Sequence, residues 1–182
     1  MITYFDSILK KIVYFKKEEA EETFSQLIKL AKSDGVFDDA EKCIILDLIN
    51  NYKSHNFKGL LTKEIKKELN VKVVKHPAYL LLYMIILAYI DGHICQAEWN
   101  TIEKTAKLIK VGDKKLNKLH TIVKRKVFNT MVYHIYSTKI DKKTRIFFLL
   151  DITKYLNLSE EIAAKEEESV RNKIGGRAHL IC

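Results

Sequence analysis

Along most of this chain, apolar residues recur every three or four positions, the spacing that gathers them on one side of an α-helix. Phe5, Ile8, Leu9, Ile12 and Val13 mark a first amphipathic helix. A second, from about Lys17, turns Ala20, Phe24, Leu27, Ile28 and Ala31 inward. Asp34-Gly35 stops it, with glycine suited to the left-handed position that ends helices. Asp38 then reads as the N-cap of a third helix and Glu41 as the N3 member of a capping box, over an inner face of Ile44, Ile45, Leu48, Ile49 and Tyr52.

Residues 54–59 read as a loop, Leu60–Leu69 as a short helix, and the β-branched stretch Val71–Val74 as an extended connector. Pro77 suits the first turn of Ala78–Ile90, which is apolar all round and so is expected to be the central helix. Asp91-Gly92 ends it. A helix over about Gln96–Ile109 follows, broken by Gly112. A long helix over about Asp113–Tyr136 faces inward with Leu116, Leu119, Ile122, Val123, Val127, Met131 and Ile135. Asp141–Leu156 gives another helix, and a charged last one starts at Ser159 and stops at Gly175-Gly176. The fold class is all-α: a single domain over 1–174 with a loose tail at 175–182.

Composition narrows the function. Among 182 residues there are one proline and six glycines, too few turn residues for an all-β fold. Ala78–Ile90 is shorter than the roughly 20 residues that span a bilayer, and no secretory leader is visible. Three scattered cysteines (43, 95 and 182) form neither a disulfide framework nor a CxxC zinc site, so a reducing cytoplasm is expected. The net charge of +9 is concentrated: between Lys104 and Arg145 there are 13 basic side chains against Asp113 and Asp141. That asymmetry calls for an acidic partner.

One pattern exceeds composition. Ala31-x-x-Asp34-Gly35-x-Phe37-x-x-Ala40-Glu41 matches Ala88-x-x-Asp91-Gly92-x-Ile94-x-x-Ala97-Glu98 without a gap, 57 positions on. Leu30/Leu87, Ile28/Ile85 and Ile45/Ile102 keep step. Each copy describes two close helices joined by a short turn: alanine allows the approach, glycine turns the chain, the apolar residue plugs the hairpin, and glutamate favours the positive end of the next helix.

These residues resemble the TerB-like family, the helical domain of bacterial tellurite-resistance proteins and of a membrane-tethered DnaJ-type co-chaperone. The family pattern is an apolar helix, Ala-x-x-Asp-Gly, then glutamate opening the next helix. Ala106–Asp113 and Thr153–Glu161 resemble later family segments, so the resemblance covers about residues 17–165. This chain is basic where family members are often acidic. The resemblance implies a non-enzymatic accessory or protein-interaction domain of a stress response, cytoplasmic and peripheral to the inner membrane, with a membrane-associated protein partner.

Two other readings stay open. The Asp-Gly loops (Asp34, Gly35, Asp38, Glu41; Asp91, Gly92, Glu98) would, as a cation sensor, offer oxygen ligands. The EF-hand spacing is absent, however, and Cys95 stands where the first copy has Asp38. A turn with a capping box explains both loops without a metal. Asp91, His93 and Cys95 could likewise hold a transition metal, but lack an evident fourth ligand. Alternatively Lys114, Lys115, Lys118, Lys124 and Arg125, on one long helix, would attract phosphates of nucleic acid or anionic lipid, giving weak, non-specific, salt-sensitive polyanion binding. The six histidines fall into no HExxH or Cys/His arrangement, and no glycine-rich phosphate loop or GxSxG elbow is present. No catalytic residue, cofactor, metal ligand set or small-molecule substrate is therefore assigned, and Tyr79, Tyr83 and Tyr89 are read as core.

Overall fold

The computed structural model of the chain describes residues 5–33, 35, 37–52, 57–62, 68–90 and 94–178. The α-helices are α1 Asp6–Leu9, α2 Lys17–Ala31, α3 Asp39–Asn51, α4 Pro77–Ala88, α5 Gln96–Leu108, α6 Asp113–Ser137, α7 Lys142–Tyr155 and α8 Glu160–Ala178. No strand occurs among the described residues, and none of their helices is long and apolar enough to cross a membrane. The chain divides into two compact units, Ile2–His120 and Thr121–Cys182, with α6 beginning in the first and continuing in the second.

In the first unit α4 packs against α2 and α5, and α2 also against α3 and α5. Every residue from Leu80 to Ala88 is buried, as an all-apolar helix requires. Each Leu or Ile removed from water there contributes about 1.5–3 kcal/mol. Pro77 occupies the first helical turn, where its missing N–H costs nothing. The inward residues expected of α2 and α3 are all buried.

Several local expectations are corrected. The first helix is a single α-turn, Asp6–Leu9, that tightens into a 3₁₀ helix over Lys10–Tyr14 and leaves Val13 47% exposed. Val71–Val74 is not extended: Val73 N–H donates to the Asn70 carbonyl, Val74 N–H to that of Val71, and the Asn70 side chain accepts from Lys72 N–H. Local turn bonds outweigh β-propensity there, as expected where no neighbouring strand offers a ladder. A 3₁₀ turn covers Lys58–Leu60, and residues 63–67 of the short helix expected over 60–69 lie outside the described residues.

Gly112 does not end α5. Lys110 does, at φ 58°, with its N–H on the Lys107 carbonyl and Val111 N–H reaching back to Ala106 at 2.9 Å, the paired bonds of a Schellman cap. Gly112 instead accepts from Lys115 and Leu116 N–H and so opens α6. Gly35, by contrast, carries φ 90°, with no atom near the position a Cβ would take. The two turns predict opposite results. Gly35→Ala lowers stability by about 1 kcal/mol through backbone strain alone, and Lys110→Gly raises it by a similar amount, because an exposed lysine gives up only a strained left-handed conformation. Thermal melts that move in the same direction for both variants would refute this account.

In the second unit α7 is N-capped by Asp141, which accepts from Lys143 and Thr144 N–H. It ends at Asn157, φ 47°, in a second Schellman cap from Leu158 N–H to Thr153. Helix α8 does not stop at Gly175-Gly176; it runs through both to Ala178. Glycine costs a helix only about 1 kcal/mol, which disfavours the interior without terminating it.

Candidate functional site

The two Asp-Gly regions were the first candidates. Asp38 accepts from Glu41 N–H at 2.8 Å, and the Glu41 carboxylate accepts from Asp38 N–H at 3.1 Å. At the start of α5, Cys95 Sγ accepts from Glu98 N–H at 3.4 Å, and the Glu98 carboxylate accepts from Cys95 N–H at 2.8 Å. The same reciprocal cap therefore opens both helices, a thiol replacing a carboxylate in the second. Both glutamates are buried and engaged with the backbone. Asp34, Asp91, Gly92 and His93 lie outside the described residues. Among the described residues no group of three or more His, Cys, Asp and Glu side chains is placed to hold a metal ion. Tyr83 and Tyr89 are buried, and His120 lies 2.8 Å from the Tyr89 hydroxyl with its ring 4.5 Å from that of Trp99.

The basic residues singled out on α6 differ in setting. Lys114, Lys115 and Lys118, in the first unit, are exposed. Lys124, in the second, is half-buried, and that burial lowers its pKa. The charge of Arg125 is taken up by Glu166 of α8: its Nε donates at 2.6 Å, its Nη2 forms an ion pair with the same oxygen, and Asn129 Nδ2 donates to the other at 2.6 Å.

The feature that sequence reasoning missed is α7. None of its residues is buried, yet Ile146, Phe147, Phe148, Leu150 and Tyr155 are all large, apolar and exposed, Phe147 at 65%. At 100° per residue they cannot share one side. Phe147, Phe148 and Tyr155 fall on one flank, with Lys143 and Lys154 beside Phe147 and the exposed Asp151 between Phe147 and Tyr155. Ile146, Leu149 and Leu150 fall on the other, beside Lys142 and Arg145. The signal in the sequence was the unbroken run Ile146–Leu150, which satisfies neither a one-faced helix nor a turn.

The second flank lines a cleft of about 520 Å³ within the second unit. Phe128 of α6, Ile146, Leu149 and Leu150 of α7, and Ala163 and Ala164 of α8 make its walls. Tyr136 stands among them near two guanidinium groups, Arg145 at 4.7 Å from the ring centre and Arg171 at 5.9 Å. Its hydroxyl donates a short hydrogen bond to Glu167. Burial pushes the Tyr136 hydroxyl pKa up. The bond to Glu167 and that carboxylate's charge push the same way, against the opposing pull of Arg171 and Arg145.

No protein-family model, curated protein or solved structure matches this chain.

Proposed function

We propose that this chain is a non-enzymatic interaction module of the TerB-like kind, which holds a protein partner on the outer flank of α7 as an accessory part of a cytoplasmic, membrane-associated stress-response complex. The observation that carries the reading is the solvent-facing group Phe147, Phe148 and Tyr155 on a helix with no buried residue. A helix apolar on both sides is ordinarily a buried one, and large apolar side chains held in solvent together mark interaction sites. Lys143 and Lys154 beside Phe147 favour a partner with an apolar helix and an acidic rim.

The TerB-like part of the proposal is supported by the first unit. Helices α3 and α5 begin and end 57 positions apart, α2 and α4 end 57 positions apart, and α3 and α5 open on the same reciprocal cap. The link to tellurite or metal resistance rests on the resemblance alone.

The test is a quantitative pull-down from the native cell with the wild-type chain and Phe147→Glu. A charge at the centre of an apolar interface costs about 2 kcal/mol or more, so the specific partner should be depleted roughly thirty-fold or more in the variant. The melting temperature should be unchanged, because Phe147 is exposed. Equal recovery of every bound protein by both chains would sink the proposal.

A further inference from the structure

The cleft on the inner flank of α7 contains a cation with no ion-paired carboxylate among the described residues. Arg145 is half-buried and stacked on Tyr136, and its one hydrogen bond, from Nη2 to the Ile140 carbonyl, is long at 3.3 Å. Its Nε is shielded from solvent with no acceptor among the described residues. Neither Arg145 nor Lys142 has a carboxylate partner there. A guanidinium N–H withdrawn from water is ordinarily hydrogen-bonded. Of the carboxylates that line the same cleft, Glu167 is engaged by the Tyr136 hydroxyl and lies 3.9 Å from Arg171, and Glu160 forms no ion pair with Arg145 among the described residues. The remainder of the wall is aliphatic and aromatic, and the volume falls within the range of small-molecule sites, about 300–1,000 Å³.

The geometry points to a binding site for an amphipathic carboxylate, its apolar chain lying against Phe128, Ile146, Leu149 and Leu150 and its carboxylate held at the open edge of the Arg145 guanidinium, with Lys142 at the rim. Arginine suits this task because its planar fork matches a carboxylate and it gives up water more readily than an ammonium does. The site goes beyond the proposed partner-holding function, since Phe147, Phe148 and Tyr155 point to the opposite side of α7.

The experiment is calorimetric titration of the full chain with monomeric decanoate, with decanol, and with phosphatidylglycerol vesicles. Decanoate should bind, and decanol should bind at least about ten-fold more weakly, the cost of removing a charge-assisted hydrogen bond. Arg145→Gln should weaken decanoate to the level of decanol, and Arg145→Lys should recover part of the loss. Ala164→Leu, at an exposed helical position on the cleft wall, should weaken both ligands by occupying the space. Phe147→Glu should leave decanoate binding intact, which separates this site from the partner surface. Absence of decanoate binding, equal affinity for decanoate and decanol, or indifference to Arg145→Gln would each overturn the assignment. So would binding of the vesicles without binding of decanoate, because the cleft would then be a lipid-facing surface.

Discussion

Glu19→Ala should destabilise the first unit by about 3 kcal/mol, among the largest effects of any single substitution outside the apolar core. Glu19 is 2% exposed, and one of its carboxylate oxygens accepts the backbone N–H groups of both Lys75 and His76 at 2.6 Å. Its other oxygen lies 2.9 Å from His76 Nδ1. These residues lead into Pro77, so a side chain of α2 holds the entry to α4, whose own N-cap position has no side-chain cap. Removing the carboxylate leaves two backbone donors without their acceptor at a part-buried site, each worth roughly 1–3 kcal/mol. Glu19→Gln keeps one acceptor oxygen and should lose about half as much. The lone tryptophan, Trp99, lies in this unit and reports its unfolding by fluorescence. The Ala variant should melt on the order of 10 °C lower. Unchanged melting, with slow amide exchange retained at Lys75 and His76, would show that water or another group replaces the carboxylate.

That role was illegible in the sequence, where nothing local distinguishes Glu19 from the neighbouring Glu18. Only the tertiary approach of 75–76 singles out Glu19. What could be read was what local spacing determines. The inner faces of α2 and α3, the all-apolar α4, the extent of α5 and the Asp38–Glu41 cap follow from periodicity and from the chemistry of free N–H groups in a first turn. Where a position's fate depends on a distant segment, the reading failed. Phe128 and Val132 are buried on α6 where Met131 and Ile135 were expected to be, and the break after α5 falls on a lysine two positions before the glycine. The cleft draws Tyr136, Arg145 and Arg171 from three helices, and no spacing rule joins them.

Glu166 carries the second large effect, in the other unit and with a dependence on pH. It is 8% exposed and receives Arg125 and Asn129 from α6, tying α8 to that helix. Burial pushes its carboxyl up, but the hydrogen bonds from Asn129 and Arg125 and the charges of Arg125 and Lys173 outweigh burial and hold it below the ordinary value of 4.5. The unfolded chain therefore binds the proton more readily than the folded one, and stability rises with pH across this interval. The contribution is complete above about 4.5 and disappears as pH falls through the lower folded value. Near neutral pH, Glu166→Gln should cost about 2 kcal/mol: the charge-assisted bonds weaken, while the half-exposed Arg125 recovers some hydration. Asp141, the exposed cap of α7, is held low as well, by its side-chain and backbone bonds to Thr144. Acid destabilisation of the wild type alone therefore does not isolate Glu166. The difference between wild type and Glu166→Gln does. Followed by helical circular dichroism across an acid series, that difference should be constant above about pH 5 and shrink steadily below 4.5. A gap that persisted into strong acid would mean that Glu166 acts through packing and not through its charge.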